Sequence, residues 1–138
     1  MFLKVGETPK NTSRLYMMEI TMPLGIHLIK FGKSSGKSSK ARVLQICSDI
    51  FDKYRTTPMI HLKRDRHIED DKVFEYETTL HNFFKNYRYT FGKKWDGHTE
   101  CYVIPLEDAL QAYEAVIEGN KPDFTYELIE HEEDKVPF

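Results

Sequence analysis

Four residues whose types can do joint chemistry occur in order along this 138-residue chain: Tyr16, Lys30, Arg42 and Glu77. A carboxylate can hold a divalent metal, an arginine can grip a phosphate in two-point fashion, and a tyrosine beside a lysine can position a water. Together they form a toolkit for cutting a phosphodiester with one metal ion. No member is diagnostic alone, so their order and the elements that carry them decide the reading.

Glu77 lies in the segment Glu77-Thr78-Thr79-Leu80-His81-Asn82-Phe83-Phe84, within a helix expected over residues 72–87. At about 100° per residue, Val73, Tyr76, Leu80, Phe83, Phe84 and Tyr87 share one face. Glu77 falls at its edge, about 70° from its centre, and Glu75 falls nearly opposite. A carboxylate beside an apolar stripe is partly desolvated and needs a partner. Either a divalent cation or a lysine or arginine from a neighbouring strand meets that need. His81, one turn beyond on the same edge, is a further catalytic candidate.

Residues 33–39 read Lys-Ser-Ser-Gly-Lys-Ser-Ser, a loop leading into a helix that Ser38 or Ser39 would cap. Backbone N–H groups and the helix dipole at such a start favour anions. Lys33, Lys37, Lys40 and Arg42 add positive charge there, and Arg64 adds more from a strand expected at 59–66. Gly32 and Gly36 stand too close together for a nucleotide-binding P-loop. Arg42 is expected on the side of its helix away from the apolar stripe.

The elements that must position these residues follow from periodicity. Residues 14–21 and 26–32 read as strands, and Pro23-Leu24-Gly25 between them makes an antiparallel hairpin. The helix after the loop carries Val43, Cys47, Ile50 and Tyr54, with Leu44 and Phe51 beside them. Asp70-Asp71 suit the start of the Glu77 helix. A short strand is expected at 100–104. Pro105 opens a last helix whose stripe is Leu106, Ala109, Leu110, Tyr113, Val116 and Ile117, and Gly119 ends it. The pattern predicts an α+β fold with a small antiparallel sheet flanked by helices. We read residues 1–12 as a lead-in, 13–119 as one domain and 120–138 as an acidic extension, with a strand conceivable at 124–128.

Composition sets the outer bounds. Apolar residues make up 40% and charged residues 30%, the balance of a globular protein. No apolar run approaches the roughly 20 residues of a membrane span, and the N-terminus lacks the apolar core of a signal peptide, so a cytoplasmic setting is expected. Cys47 and Cys101 are too far apart for a zinc ribbon, and Cys47 is expected in the core. The net charge of −2 conceals a split. Residues 27–66 carry ten lysines and arginines against three carboxylates, whereas residues 99–138 carry two against eleven. The basic stretch points to a polyanionic partner.

The series resembles the GIY-YIG nuclease superfamily, in the phage and bacterial branch whose second motif reads Lys-Ile-Gly. Arg14-Leu15-Tyr16 stands for Gly-Ile-Tyr, and Lys30-Phe31-Gly32 for the second motif. Arg42 stands for the arginine of the following helix. Glu77-x-x-Leu80-His81-x-x-Phe84 resembles that branch's central helix, and Thr99-Glu100-Cys101-Tyr102 resembles its Glu-Trp-Phe strand. The resemblance spans about residues 14–117. It implies a three-stranded antiparallel sheet flanked by helices and a DNA endonuclease using Mg²⁺ or Mn²⁺. Glu77 would hold the metal, Arg42 the scissile phosphate, and Tyr16 with Lys30 the attacking water. Lys33, Lys37, Lys40 and Arg64 would contact DNA. Arg14 replaces the first motif's glycine and Lys30 the second motif's tyrosine. Asn82 and Asn86 are the candidates for the family's asparagine.

Three functions are therefore in play: a DNA endonuclease, working as a homodimer if it cuts both strands; a catalytically weak relative that binds DNA or a protein as a regulator; and an interaction protein without a nucleic-acid role. Convergence of Tyr16, Arg42 and Glu77 in one cleft separates the first two from the third.

Overall fold

The computed structural model describes residues 12–120 and Tyr126. Ser13–Thr21 (β1) and His27–Ser35 (β2) form the expected hairpin, with Tyr16 opposite Gly32 and Met18 opposite Lys30. Lys40–Tyr54 (α1) follows, then Met59–Ile68 (β3), Val73–Phe83 (α2), Cys101–Tyr102 (β4) and Leu106–Ile117 (α3). Short 3₁₀ turns occur at Lys85–Tyr87 and His98–Glu100.

The α+β class is as expected, but the sheet has four strands, not three, in the order β3-β1-β2-β4 with every pair antiparallel. The extra strand is β4. It is only two residues long, pairing Tyr102 with Ile29 and Cys101 with Lys30. Beyond Lys30 the outer edge of β2 has no strand partner among the described residues, which leaves room there for side chains from α2.

Alternation along the strands sends side chains to two cores. Leu15, Met17, Ile29, Phe31 and Tyr102 pack with Leu80 and Phe84 near α2 and with Ala109, Tyr113 and Val116 of α3. Tyr16, Met18, Ile20, Leu28 and Cys101 face Ile46 and Ile50 of α1, together with Phe91 and Trp95. The sheet is therefore covered on both faces. Tyr113 joins the layers, its hydroxyl donating to the Leu15 carbonyl at 2.6 Å.

Several local expectations are corrected. β2 runs on through Lys33, Ser34 and Ser35, paired with Leu15, Arg14 and Ser13, so more than a third of the expected loop is strand. In α1 the buried positions are Ile46 and Ile50; Leu44 and Phe51 are exposed and Cys47 is half-buried. Two apolar stripes compete on that helix, and the sheet selects the one through Ile46. The Glu77 helix begins at Val73 and tightens to 3₁₀ after Phe83. Asp70 does not cap it; its carboxylate accepts from the Ser13 N–H instead. α3 matches its stripe, with Ala109, Tyr113 and Val116 buried. The lead-in to residue 11 and the 124–128 strand lie outside the described residues, apart from Tyr126. No described helix is long and apolar enough to cross a membrane.

A polar clasp fixes where α1 begins. Asp65 on β3 accepts from Arg14 Nε at 2.7 Å, from the Ser39 N–H at 2.9 Å and from the Ser39 hydroxyl at 2.7 Å. Arg14 also donates to the Asp65 carbonyl and lies 2.7 Å from His67 Nε2. Ser39 thus stands at the helix start with its hydroxyl turned away, and the neighbouring Ser38 hydroxyl accepts the Lys40 N–H. Burial raises the cost of charging Asp65, but the hydrogen bonds from Arg14 and Ser39 outweigh it and hold its pKa below the ordinary value. Because the folded pKa is depressed, this stabilisation is full above about pH 4 and is lost as the carboxylate is protonated below that. We expect Asp65→Ala to lower stability at pH 7 by about 3 kcal/mol in urea denaturation. We also expect the loss of stability below about pH 4 to be shallower in Asp65→Asn than in the wild type.

Candidate active site

The site lies at the open edge of β2. Tyr16 on β1 and Lys30 on β2 point to the same face one register step apart, and the Lys30 ammonium donates to the Tyr16 hydroxyl at 2.7 Å. On its other side Lys30 donates to Glu100 Oε1 at 2.8 Å. Lys30 has no exposed surface and Tyr16 is 1% exposed. Burial alone would strip the ammonium of its proton, but the Tyr16 and Glu100 oxygens outweigh it and raise its pKa above the usual lysine value. Lys30 is therefore a fixed cation at neutral pH.

Two glycines make room for this arrangement. A Cβ on Gly32 would meet the Tyr16 hydroxyl oxygen at 2.2 Å, so the glycine is a steric requirement of the tyrosine's position. Gly97 has φ +96°, and a Cβ there would press on Lys30 Cε at 2.9 Å.

Arg42 reaches the same place from α1. Its guanidinium donates to Gln45 Oε1 at 2.5 Å, lies 4.0 Å from Asp96 and is close enough to Tyr16 to interact with it electrostatically. Burial opposes its charge, but Tyr16, Asp96 and Glu100 outweigh that and hold its pKa above the usual arginine value. The helix pattern leaves Arg42 open to solvent or a ligand; in the structure its side chain is 25% exposed and turned towards the site.

Glu77 is buried in α2, as its edge position predicts, with 9% exposure. No lysine or arginine among the described residues forms an ion pair with it. Lys33 of β2, paired with Leu15 on one side, is near enough on its other side for its backbone N–H to favour the charged carboxylate. Desolvation, then the neighbouring Glu100 charge, raise its pKa above the ordinary value, while Lys33 and Lys30 pull the other way. His81 Nε2 stands 4.0 Å from Glu77 Oε2 and 3.9 Å from Glu100 Oε2. Its Nδ1 is 2.6 Å from the Tyr102 hydroxyl, which Arg88 also approaches. Burial is the main cause of a His81 pKa lowered to about 4, partly countered by Glu100.

Ligand atoms of Glu77, His81 and Glu100 all lie within 4.8 Å of one another. His81 Nε2 is buried without a hydrogen-bond partner. Three electron-rich atoms around one point, one of them otherwise unsatisfied, fit a bound cation. The residues implied by the metal reading are thus present, with two more than expected.

The structure brings together Tyr16, Lys30, Arg42, Glu77 and His81. Lys33 is exposed beside them, its ammonium 5.1 Å from the Phe74 ring centroid. Lys37 and Lys40 are exposed at the start of α1. Arg64 is engaged elsewhere: it donates to Glu114 of α3 at 3.0 Å and to the Lys63 carbonyl. The anion seat expected at the start of α1 already holds the Asp65 carboxylate on the Ser39 N–H. Asn82 and Asn86 are exposed. Sequence reasoning missed Glu100 as a site residue, and with it Gly97. The available signal was a carboxylate immediately before a strand that pairs with the Lys30 segment.

Comparison of the chain with known protein families, with curated proteins and with solved structures finds no match.

Two measurements test this geometry. Gly32→Ala is expected to displace the Tyr16 hydroxyl from Lys30 and cost about 1–3 kcal/mol of stability in urea denaturation; a variant as stable as the wild type contradicts the contact. In NMR titration of the imidazole nitrogens, His81 is expected to stay neutral from pH 7 down towards its midpoint at about 4.

Proposed function

We propose that the chain is a metal-dependent DNA endonuclease of GIY-YIG type that hydrolyses phosphodiester bonds. The observation that carries this reading is a connected chain of polar side chains from separate elements: Tyr16 bonded to Lys30, Lys30 to Glu100, Glu100 clustered with Glu77 and His81, and Arg42 interacting with Tyr16. An interaction protein without such chemistry has no need to bury a lysine, a tyrosine and a glutamate side by side, since each costs free energy to desolvate.

The roles follow from the geometry. Arg42 binds the non-bridging oxygens of the phosphate and stabilises the charge that develops as the water oxygen bonds to phosphorus and the phosphorus–oxygen ester bond breaks. Tyr16, fixed by the Lys30 ammonium, orients that water. Glu77 holds the divalent ion, which when bound polarises the phosphoryl oxygen or leaving group. Lys33, Lys37 and Lys40 line the approach and attract the polyanionic backbone. Arg64, tied to Glu114, has no part in this.

One observation favours the second reading, a catalytically weak relative that binds DNA or a protein partner as a regulator: Tyr16 and Lys30 are sealed from solvent. That protein would bind DNA with strong salt dependence and leave it intact.

Supercoiled plasmid incubated with the protein and Mg²⁺ or Mn²⁺, with EDTA as control, separates the two. We expect nicking that EDTA abolishes, a loss of at least 100-fold in Glu77→Gln, and a loss of about 10²–10³-fold in Arg42→Ala. Absence of nicking by the wild type, or equal nicking by Glu77→Gln, would sink the endonuclease reading. Salt-dependent DNA retention without nicking would support the regulator.

A further inference from the structure

We infer that the ion site has three protein ligands, a Glu77 carboxylate oxygen, His81 Nε2 and Glu100 Oε2, and takes a first-row transition ion such as Mn²⁺, Co²⁺ or Zn²⁺ ahead of Mg²⁺. This rests on reading Glu77 as a metal-binding carboxylate and adds the ligand set and the class of ion.

The spacing is the first argument. Nε2 lies 4.0 Å from Glu77 Oε2 and 3.9 Å from Glu100 Oε2. That is too long for a hydrogen bond, which needs about 3.2 Å or less. Ligands around an ion at about 2.1 Å stand roughly 3–3.5 Å apart. A small inward movement of three side chains therefore closes the site.

The orientation of the imidazole is the second. His81 Nδ1 is held by the Tyr102 hydroxyl at 2.6 Å. Tyr102 is itself fixed in the core, against the stacked pair Phe31 and Phe84 and near the Arg88 guanidinium. A proton on Nδ1, shared with Tyr102, leaves the Nε2 lone pair facing two carboxylates. Such an outer partner is what sets the tautomer and direction of metal-binding histidines. Without an ion that nitrogen stays buried and unpartnered.

Glu100 is divided between two tasks. Its Oε1 accepts from Lys30, and its Oε2 is the oxygen nearest His81. It acts as a bridge that leaves one oxygen for the ion while the other anchors the buried ammonium.

The donor set decides the ion. Mg²⁺ strongly prefers oxygen ligands and near-ideal octahedral geometry, with most positions filled by water. An imidazole nitrogen is a good ligand for Zn, Fe, Ni and Cu, and carboxylates suit Mn. One nitrogen with two carboxylates thus shifts preference away from Mg²⁺.

The test reads binding, not cleavage. Equilibrium dialysis of the full chain against Mn²⁺, Zn²⁺ or Mg²⁺ is expected to give one tight transition ion per chain, held at least tenfold more tightly than Mg²⁺. His81→Ala and Glu100→Gln should each weaken it by at least tenfold, whereas His61→Ala, an exposed histidine on β3, should not. With Co²⁺ bound, the wild type should show one hyperfine-shifted exchangeable imidazole proton, from His81 Nδ1. That signal decides the matter even where a variant fails to fold. Equal affinity for Mg²⁺ and Mn²⁺, unchanged binding by folded His81→Ala, or the absence of the shifted proton overturns the inference. An ion bound in this way without plasmid nicking keeps the site and removes the endonuclease reading. Mg²⁺-dependent nicking indifferent to His81→Ala does the reverse.

Discussion

The structure around the site depends on keeping one ammonium charged in the protein interior. Lys30 has no exposed surface, and a cation in that position is tolerated only with strong partners on every side. Tyr16 and Glu100 are those partners, at 2.7 and 2.8 Å. Much else follows from holding them. Gly32 has no side chain because the tyrosine occupies that space, and Gly97 turns with positive φ because the lysine passes beside it. β4 stops after two residues, and its short pairing places Glu100 at the end of β2's neighbour, not inside a continuous ladder.

That arrangement also explains how the site differs from what its residues suggest individually. The obvious partner for a buried Glu77 is a lysine from a nearby strand. The lysine is there, but it pairs with Glu100, and Glu77 stands beside His81 instead. The clasp of Arg14, Asp65 and Ser39 has a similar logic at the start of α1. A carboxylate of the protein's own fills the anion-binding start of α1, so the helix delivers Arg42 to the centre without itself forming a phosphate cradle.

Elements with one dominant physical signal were legible in the sequence. The β1–β2 hairpin follows from two apolar runs around Pro23-Leu24-Gly25, α3 from a single stripe, and the burial of Glu77 from its angle on α2. What was not legible depends on contacts between distant segments. Lys33-Ser34-Ser35 has loop composition, yet β1 has free pairing positions at Ser13, Arg14 and Leu15 and draws it into the sheet. α1 offers two possible apolar faces, and only the sheet chooses Ile46 over Leu44. The local pattern leaves Arg42 open to solvent or a ligand, and nothing local announces that the segment carrying Asp96 folds beside it. Glu100 was hidden for the same reason: its meaning comes from Lys30, far away in sequence.

The dispersal of the centre has a kinetic consequence. Tyr16, Lys30, Arg42, Glu77 and Glu100 come from five separate pieces of chain, and only the Tyr16–Lys30 contact lies within one hairpin. No fragment can assemble the site early, because closing it requires β1, β2, α1, α2 and the β4 segment all to be in place. Short as it is, β4 is anchored in both cores: Cys101 and Tyr102 are fully buried, and the segment also bonds through its backbone to Tyr87 and Tyr89. Glu100 therefore leaves Lys30 only when buried side chains are drawn out of the core with it. The integrity of the centre follows the stability of the whole core, and local fraying cannot dismantle it cheaply.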